Sequence, residues 1–131
     1  MAVKKDRLSD AQKAELEKLR PFIARSGLIV KMNAANWRST LDAILGISGY
    51  SPRYRMRCVR DLQDPPESIW LGPLPEGLPL YNYIEWIELN PISVDKADYS
   101  TAIRAALQTK GISFSLTKTG IRVYGYLRTK P

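Results

Sequence analysis

Between Arg53 and Arg60 the chain alternates, with Tyr54, Met56 and Cys58 on one parity and Arg53, Arg55 and Arg57 on the other. Period-2 alternation is the mark of a half-buried strand, so this segment must put one face against a core and offer three guanidinium groups on the other. A second segment obeys the same rule: Ile121, Val123 and Leu127 alternate with Arg122, Tyr124, Tyr126 and Arg128. Gly125 falls in its apolar register, which predicts a bulge or a close approach by a packed helix. Ahead of it, Ile112, Phe114 and Leu116 alternate with Ser113, Ser115 and Thr117, and Lys118, Thr119 and Gly120 supply a turn. This reads as a β-hairpin.

The run Tyr83 to Asn90 is rich in β-branched and aromatic residues and is bounded by Pro91, which predicts a strand near the sheet centre. Ser9 and Gln12 have capping-box spacing before Leu16, Leu19 and Ile23, so a first helix is expected over roughly 9–26. Pro21 predicts a kink or break in it. Asn33 caps a second helix with Trp37, Leu41, Ile44, Leu45 and Ser48 on one side, and Asp95 or Asp98 caps a third, carrying Tyr99, Ile103, Ala106 and Leu107 up to Gly111. Residues 63–79, with five prolines, form an extended loop with room for one short strand around Ile69 to Leu71. The expected fold is α+β, a mainly antiparallel sheet of four to five strands with helices on one face, in the order α-α-β-(β)-β-α-β-β. A chain of 131 residues, 44% apolar, makes a single domain, here an N-terminal helical extension (1–31) on an α+β core (32–131).

Residue types exclude much chemistry. The absence of histidine removes the imidazole that Ser-His-Asp or Cys-His catalysis and nearly every zinc or iron site require, and no cofactor or metal is called for. Glu85 and Glu88 are the only carboxylates close together on a predicted strand, but alternation sends positions three apart to opposite faces, so each is expected to pair with an arginine. Cys58 has no activating base and reads as inert core. Trp37, Trp70 and Trp86 fit either core or a pocket. The lone cysteine, the lack of an apolar leader and the lack of a membrane-length apolar stretch fit a cytoplasmic protein without a membrane partner.

Charge is segregated along the chain. Eight acids and one lysine lie between Asp61 and Tyr99, whereas six cations and no acid follow Ser100. If the two alternating strands show the same side, Arg53, Arg55, Arg57, Arg122, Tyr124, Tyr126 and Arg128 form one surface able to neutralise phosphates and stack bases. The alternative is that acidic and basic segments neutralise each other across neighbouring strands.

Trp37-Arg38, the run Arg53 to Arg57, Ile84 to Glu88, Ile112 to Leu116 and Gly120 to Tyr126 together resemble a family of small bacterial domains of unknown function. The resemblance implies the fold and no activity. Three functions follow as expectations. The first is a non-enzymatic protein-binding module, such as an immunity or inhibitor protein for a toxin. The second is a single-stranded RNA or DNA binder using the Arg/Tyr face, and the third an enzyme acting on a small molecule through carboxylates and lysines.

Overall fold

The computed structural model describes residues 9–78 and 80–128; the basic start of the chain, Pro79 and Lys130 lie outside the described residues. The elements are α1 (Asp10–Arg25), β1 (Leu28–Val30), α2 (Ala34–Leu45), β2 (Arg53–Cys58), β3 (Ile84–Asn90), α3 (Ser100–Thr109), β4 (Ser115–Leu116), β5 (Ile121–Tyr124) and β6 (Tyr126–Arg128). Four of the strands form an antiparallel sheet in the order β2-β3-β5-β4, and β1 and β6 form a second antiparallel pair. The fold is α+β as expected, with the YIEWIELN strand at an interior position. β1 is an addition, because three residues are too few to show a period.

Side-chain parity decides the layers. Tyr54, Met56, Ile87, Leu89, Ile121 and Val123 face Trp37, Leu41 and Ile44 of α2 and Ile103 and Leu107 of α3, which makes the main core. Asn33 and Asn36 exchange the reciprocal bonds of a capping box at the start of α2, so that its first orphan amides are satisfied and Trp37 is aimed inward. Asp98 accepts the Ser100 amide and hydroxyl at the start of α3.

A second, smaller core gathers Leu19, Leu28, Val59 and Tyr126, with Leu16, Phe22, Ile23 and Tyr83 packed around it. Residues 19–30, read in the sequence as extension, therefore supply Leu19 and Leu28 to buried packing. The expected break at Pro21 does not occur, since α1 runs through it to Arg25, is capped by Ser26 and is followed by Gly27 with φ of 69°. Proline forfeits its own amide bond and crowds the carbonyl of Glu17 one turn back, but Leu19 before it and Phe22 and Ile23 after it are anchored in one cluster that holds the helix through it. Pro21→Ala is expected to stabilise the protein by about 1–2 kcal/mol, short of the full helix-interior penalty because proline also restricts the unfolded chain. A urea titration checks this.

Candidate functional site

Across the sheet Arg55 sits opposite Glu88, which sits opposite Arg122, which sits opposite Ser115. Because registered neighbours share a face, Arg53, Arg55 and Arg57 emerge on the same side as Arg122 and Tyr124, away from α2 and α3. The two alternating strands agree in facing. What differs from expectation is the environment of that face.

Glu88 is fully buried (0% exposed) at its centre. One carboxylate oxygen accepts from Arg55 Nη2 at 3.1 Å and from the Thr119 hydroxyl at 2.6 Å. The other accepts from Arg122 Nε and Nη2 at 3.1 and 2.9 Å and from the Thr117 hydroxyl at 3.0 Å. Burial pushes the carboxyl up, but the bonds from Thr119, Thr117 and Arg122 outweigh it, and the net displacement is below the ordinary glutamate value of 4.5. The Arg122 guanidinium lies 3.8 Å from the Trp86 ring centroid, and that of Arg55 lies 5.7 Å from Trp86 and 5.5 Å from Trp70.

Glu85 joins the same face against the parity expectation. The register slips between Arg57 and Cys58, which pair with Trp86 and Ile84, and so Glu85 is an extra residue on β3. Such a bulge puts two successive side chains on one side. Ile84, Ile87 and Leu89 accordingly remain in the core while Glu85 meets Arg57 Nε at 3.5 Å and Arg128 Nη2 at 2.6 Å. Each glutamate does pair with arginine.

The loop after β2 then closes over the arginines. Arg55 Nη1 donates to the Pro65 carbonyl and Arg57 Nη2 to that of Asp61, Arg57 also pairs with Asp64, and Lys118 pairs with Glu67. Leu71 exchanges two backbone bonds with Tyr54, all that remains of the expected short strand. Arg55 is left 3% exposed, so it is not available to a phosphate. Tyr126 is also lost from the expected surface: beyond Gly125 the chain leaves β3 to pair with β1, and the Tyr126 ring enters the second core, 4% exposed, with its hydroxyl donating to the Asn82 carbonyl. Arg128 turns back to Glu85, and Arg57 and Arg122 are largely covered. The acidic and basic segments neutralise each other across strands, the second of the two arrangements weighed from the sequence.

Arg53 differs from its neighbours. Its register partner is Asn90, its Nη2 donates to the Ile92 carbonyl, and among the described residues it has no carboxylate partner. It borders a groove of about 500 Å³ lined by Tyr50, Pro52, Trp70, Leu71, Pro73 and Val94. Leu71 is 47% and Val94 67% exposed there. Thus Trp37 is in the main core, Trp86 is buried on the opposite face beneath Arg55 and Arg122, and Trp70 belongs to the groove. The sequence alone leaves Trp70 between core and pocket and does not assemble the rest of this wall, for which the signal is the apolar Trp70-Leu71 pair among prolines.

Cys58 is half-buried, and burial first, then the Asp61 charge, pushes its thiol up. Iodoacetamide at pH 7.5 is expected to alkylate it at least about tenfold more slowly than free cysteine, because the thiolate is the reactive form; equal rates would contradict this. Among the described residues no three His, Cys, Asp or Glu side chains are grouped to hold a metal ion, and no helix is long and apolar enough to cross a membrane.

The model of a family of unknown function (DUF6678) matches residues 19–130. No curated protein and no solved structure matches the chain.

Proposed function

We propose that this chain, which belongs to the family of unknown function DUF6678, is a non-enzymatic protein-binding module that docks its partner in the groove formed by residues 50–53, 70–73 and Val94. The observation that carries the reading is the concave apolar wall of Trp70, Leu71, Pro73 and Val94, two of whose side chains are left substantially in water. Apolar surface held open in a concavity, with a polar group at its border, is the composition of a docking site rather than of an ordinary surface. Glu85 and Glu88, the acids a hydrolytic or transfer mechanism would draw on, are both engaged by arginines. Of the arginines a nucleic acid would need, Arg55, Arg57, Arg122 and Arg128 are engaged by those acids, which leaves Arg53 alone.

Immobilised protein should recover one stoichiometric partner from extracts of the encoding organism, whereas Leu71→Asp and Val94→Asp should recover none while keeping the wild-type circular dichroism and melting temperature. Capture that survives both substitutions would remove the groove from the interface.

A further inference from the structure

We infer that the segment seated in this groove presents a carboxylate beside a large apolar side chain, the carboxylate pairing with Arg53 and the apolar group lying on Trp70, Leu71 and Val94. The inference rests on the docking reading above and adds the chemistry of the partner.

The argument is one of charge complementarity. Of the five arginines on the strands of this sheet and its β6 continuation, Arg55 and Arg122 reach Glu88, and Arg57 and Arg128 reach Glu85. Arg53 lies one step further along the same strand face, where the register partner changes from glutamate to Asn90. Its Nε, like those of Arg55 and Arg57, is buried without a hydrogen bond, but of its amino nitrogens one is anchored on the neutral Ile92 carbonyl and neither meets an acid among the described residues. A guanidinium half-withdrawn from water with a neutral anchor and no anion is an incomplete pair, and its amino end remains to donate to a carboxylate.

The acids of the neighbouring loop do not complete it. Asp95 accepts the Ala97 amide and Asp98 accepts the Ser100 amide and hydroxyl, so both are held in their own turns. Apart from Ser51 the rest of the groove wall is apolar or aromatic, so Arg53 is the one charged group a carboxylate meets in a groove of about 500 Å³ whose other walls suit an apolar side chain. An acidic protein segment with leucine or an aromatic next to the acid satisfies both. A basic segment would meet Arg53 as a like charge.

The test uses three short peptides on the full-length, ¹⁵N-labelled protein: acetyl-Asp-Leu-Asp-Leu-amide, its Asn-for-Asp version and its Ala-for-Leu version. The Trp70 indole N–H and the Arg53 Nε–H are followed by NMR. The acidic peptide is expected to shift both signals and to bind about tenfold more tightly than the Asn version at low salt, the size of one charge-assisted hydrogen bond. Added salt should shrink that ratio. In Arg53→Gln, checked for folding by circular dichroism, the preference should vanish while the Asn peptide binds as before. Equal affinity of the acidic and Asn peptides for the wild type would overturn the inference and leave the docking reading standing. Failure of every peptide to shift Trp70 would overturn it as well, and the capture experiment with Leu71→Asp judges the docking reading separately.

Discussion

Replacing Glu88 with glutamine lowers the stability of the protein by about 3–5 kcal/mol, the penalty for removing one partner from a buried ion pair. The carboxylate receives five side-chain bonds, from Arg55, Arg122, Thr117 and Thr119, and is fully buried. Glutamine keeps the shape but removes the charge, and its NH₂ would point a donor at groups that all donate to the carboxylate, among them guanidinium groups that cannot accept. Arg55, itself buried, is left without an anion. The cost does not show that the network is a net source of stability, because assembling it required desolvating both arginines. Combining Glu88→Leu with Arg55→Met and Arg122→Met should therefore restore most of what the single change loses. Urea denaturation with an unchanged m-value checks both, and a triple variant less stable than Glu88→Gln would contradict the account.

The same residue sets an acid limit. Since the folded-state carboxyl is held below its unfolded value of about 4.5, its contribution is fully present above that value and is lost as pH falls through the lower, folded one. The urea midpoint of the wild type should be insensitive to Glu88 from pH 7 down to about 5 and decline below that. In Glu88→Gln this component of the decline should be missing.

Parity on a strand is a local property, and it was legible in the sequence. The common facing of Arg53, Arg55, Arg57, Arg122 and Tyr124 follows from alternation once β2, β3 and β5 pair in register. Three facts escaped because each depends on a partner distant in sequence. The bulge that turns Glu85 toward Arg57 arises from a register slip against β2. The cover over Arg55 depends on the Pro65 carbonyl and on Trp70, which belong to a loop whose path its composition does not specify. The burial of Tyr126 depends on β1, a strand of three residues. The groove escaped for a related reason, since apolar residues in a proline-rich loop look alike whether they pack inward or line a concavity. The asymmetry that singles out Arg53 could have been read only after register was known, because it lies in Asn90 standing where Glu88 stands one step earlier.

Gly125→Ala should cost about 3 kcal/mol, at the upper end for an overpacked site, and lower the melting temperature by about 10 °C. At this residue the chain leaves β3 and joins β1. Its N–H donates to the Glu85 carbonyl and its carbonyl accepts from the Lys31 and Met32 amides, which ties the two sheets together. An added Cβ would lie 2.5 Å from the Ile84 carbonyl oxygen and 3.0 Å from Cζ2 of Trp37. The tryptophan contact can be relieved and the backbone contact cannot, so Trp37→Leu should not rescue the variant. Relief must come from separating β6 from β3, which strips Tyr126 from the second core and draws Arg128 off Glu85. Native-state hydrogen exchange is the decisive measurement: the amides of Lys31 and Met32, which lean on the Gly125 carbonyl, should lose protection before those of β3. Uniform loss across both sheets would mean that Gly125 is an ordinary packing position and that the small core does not open on its own.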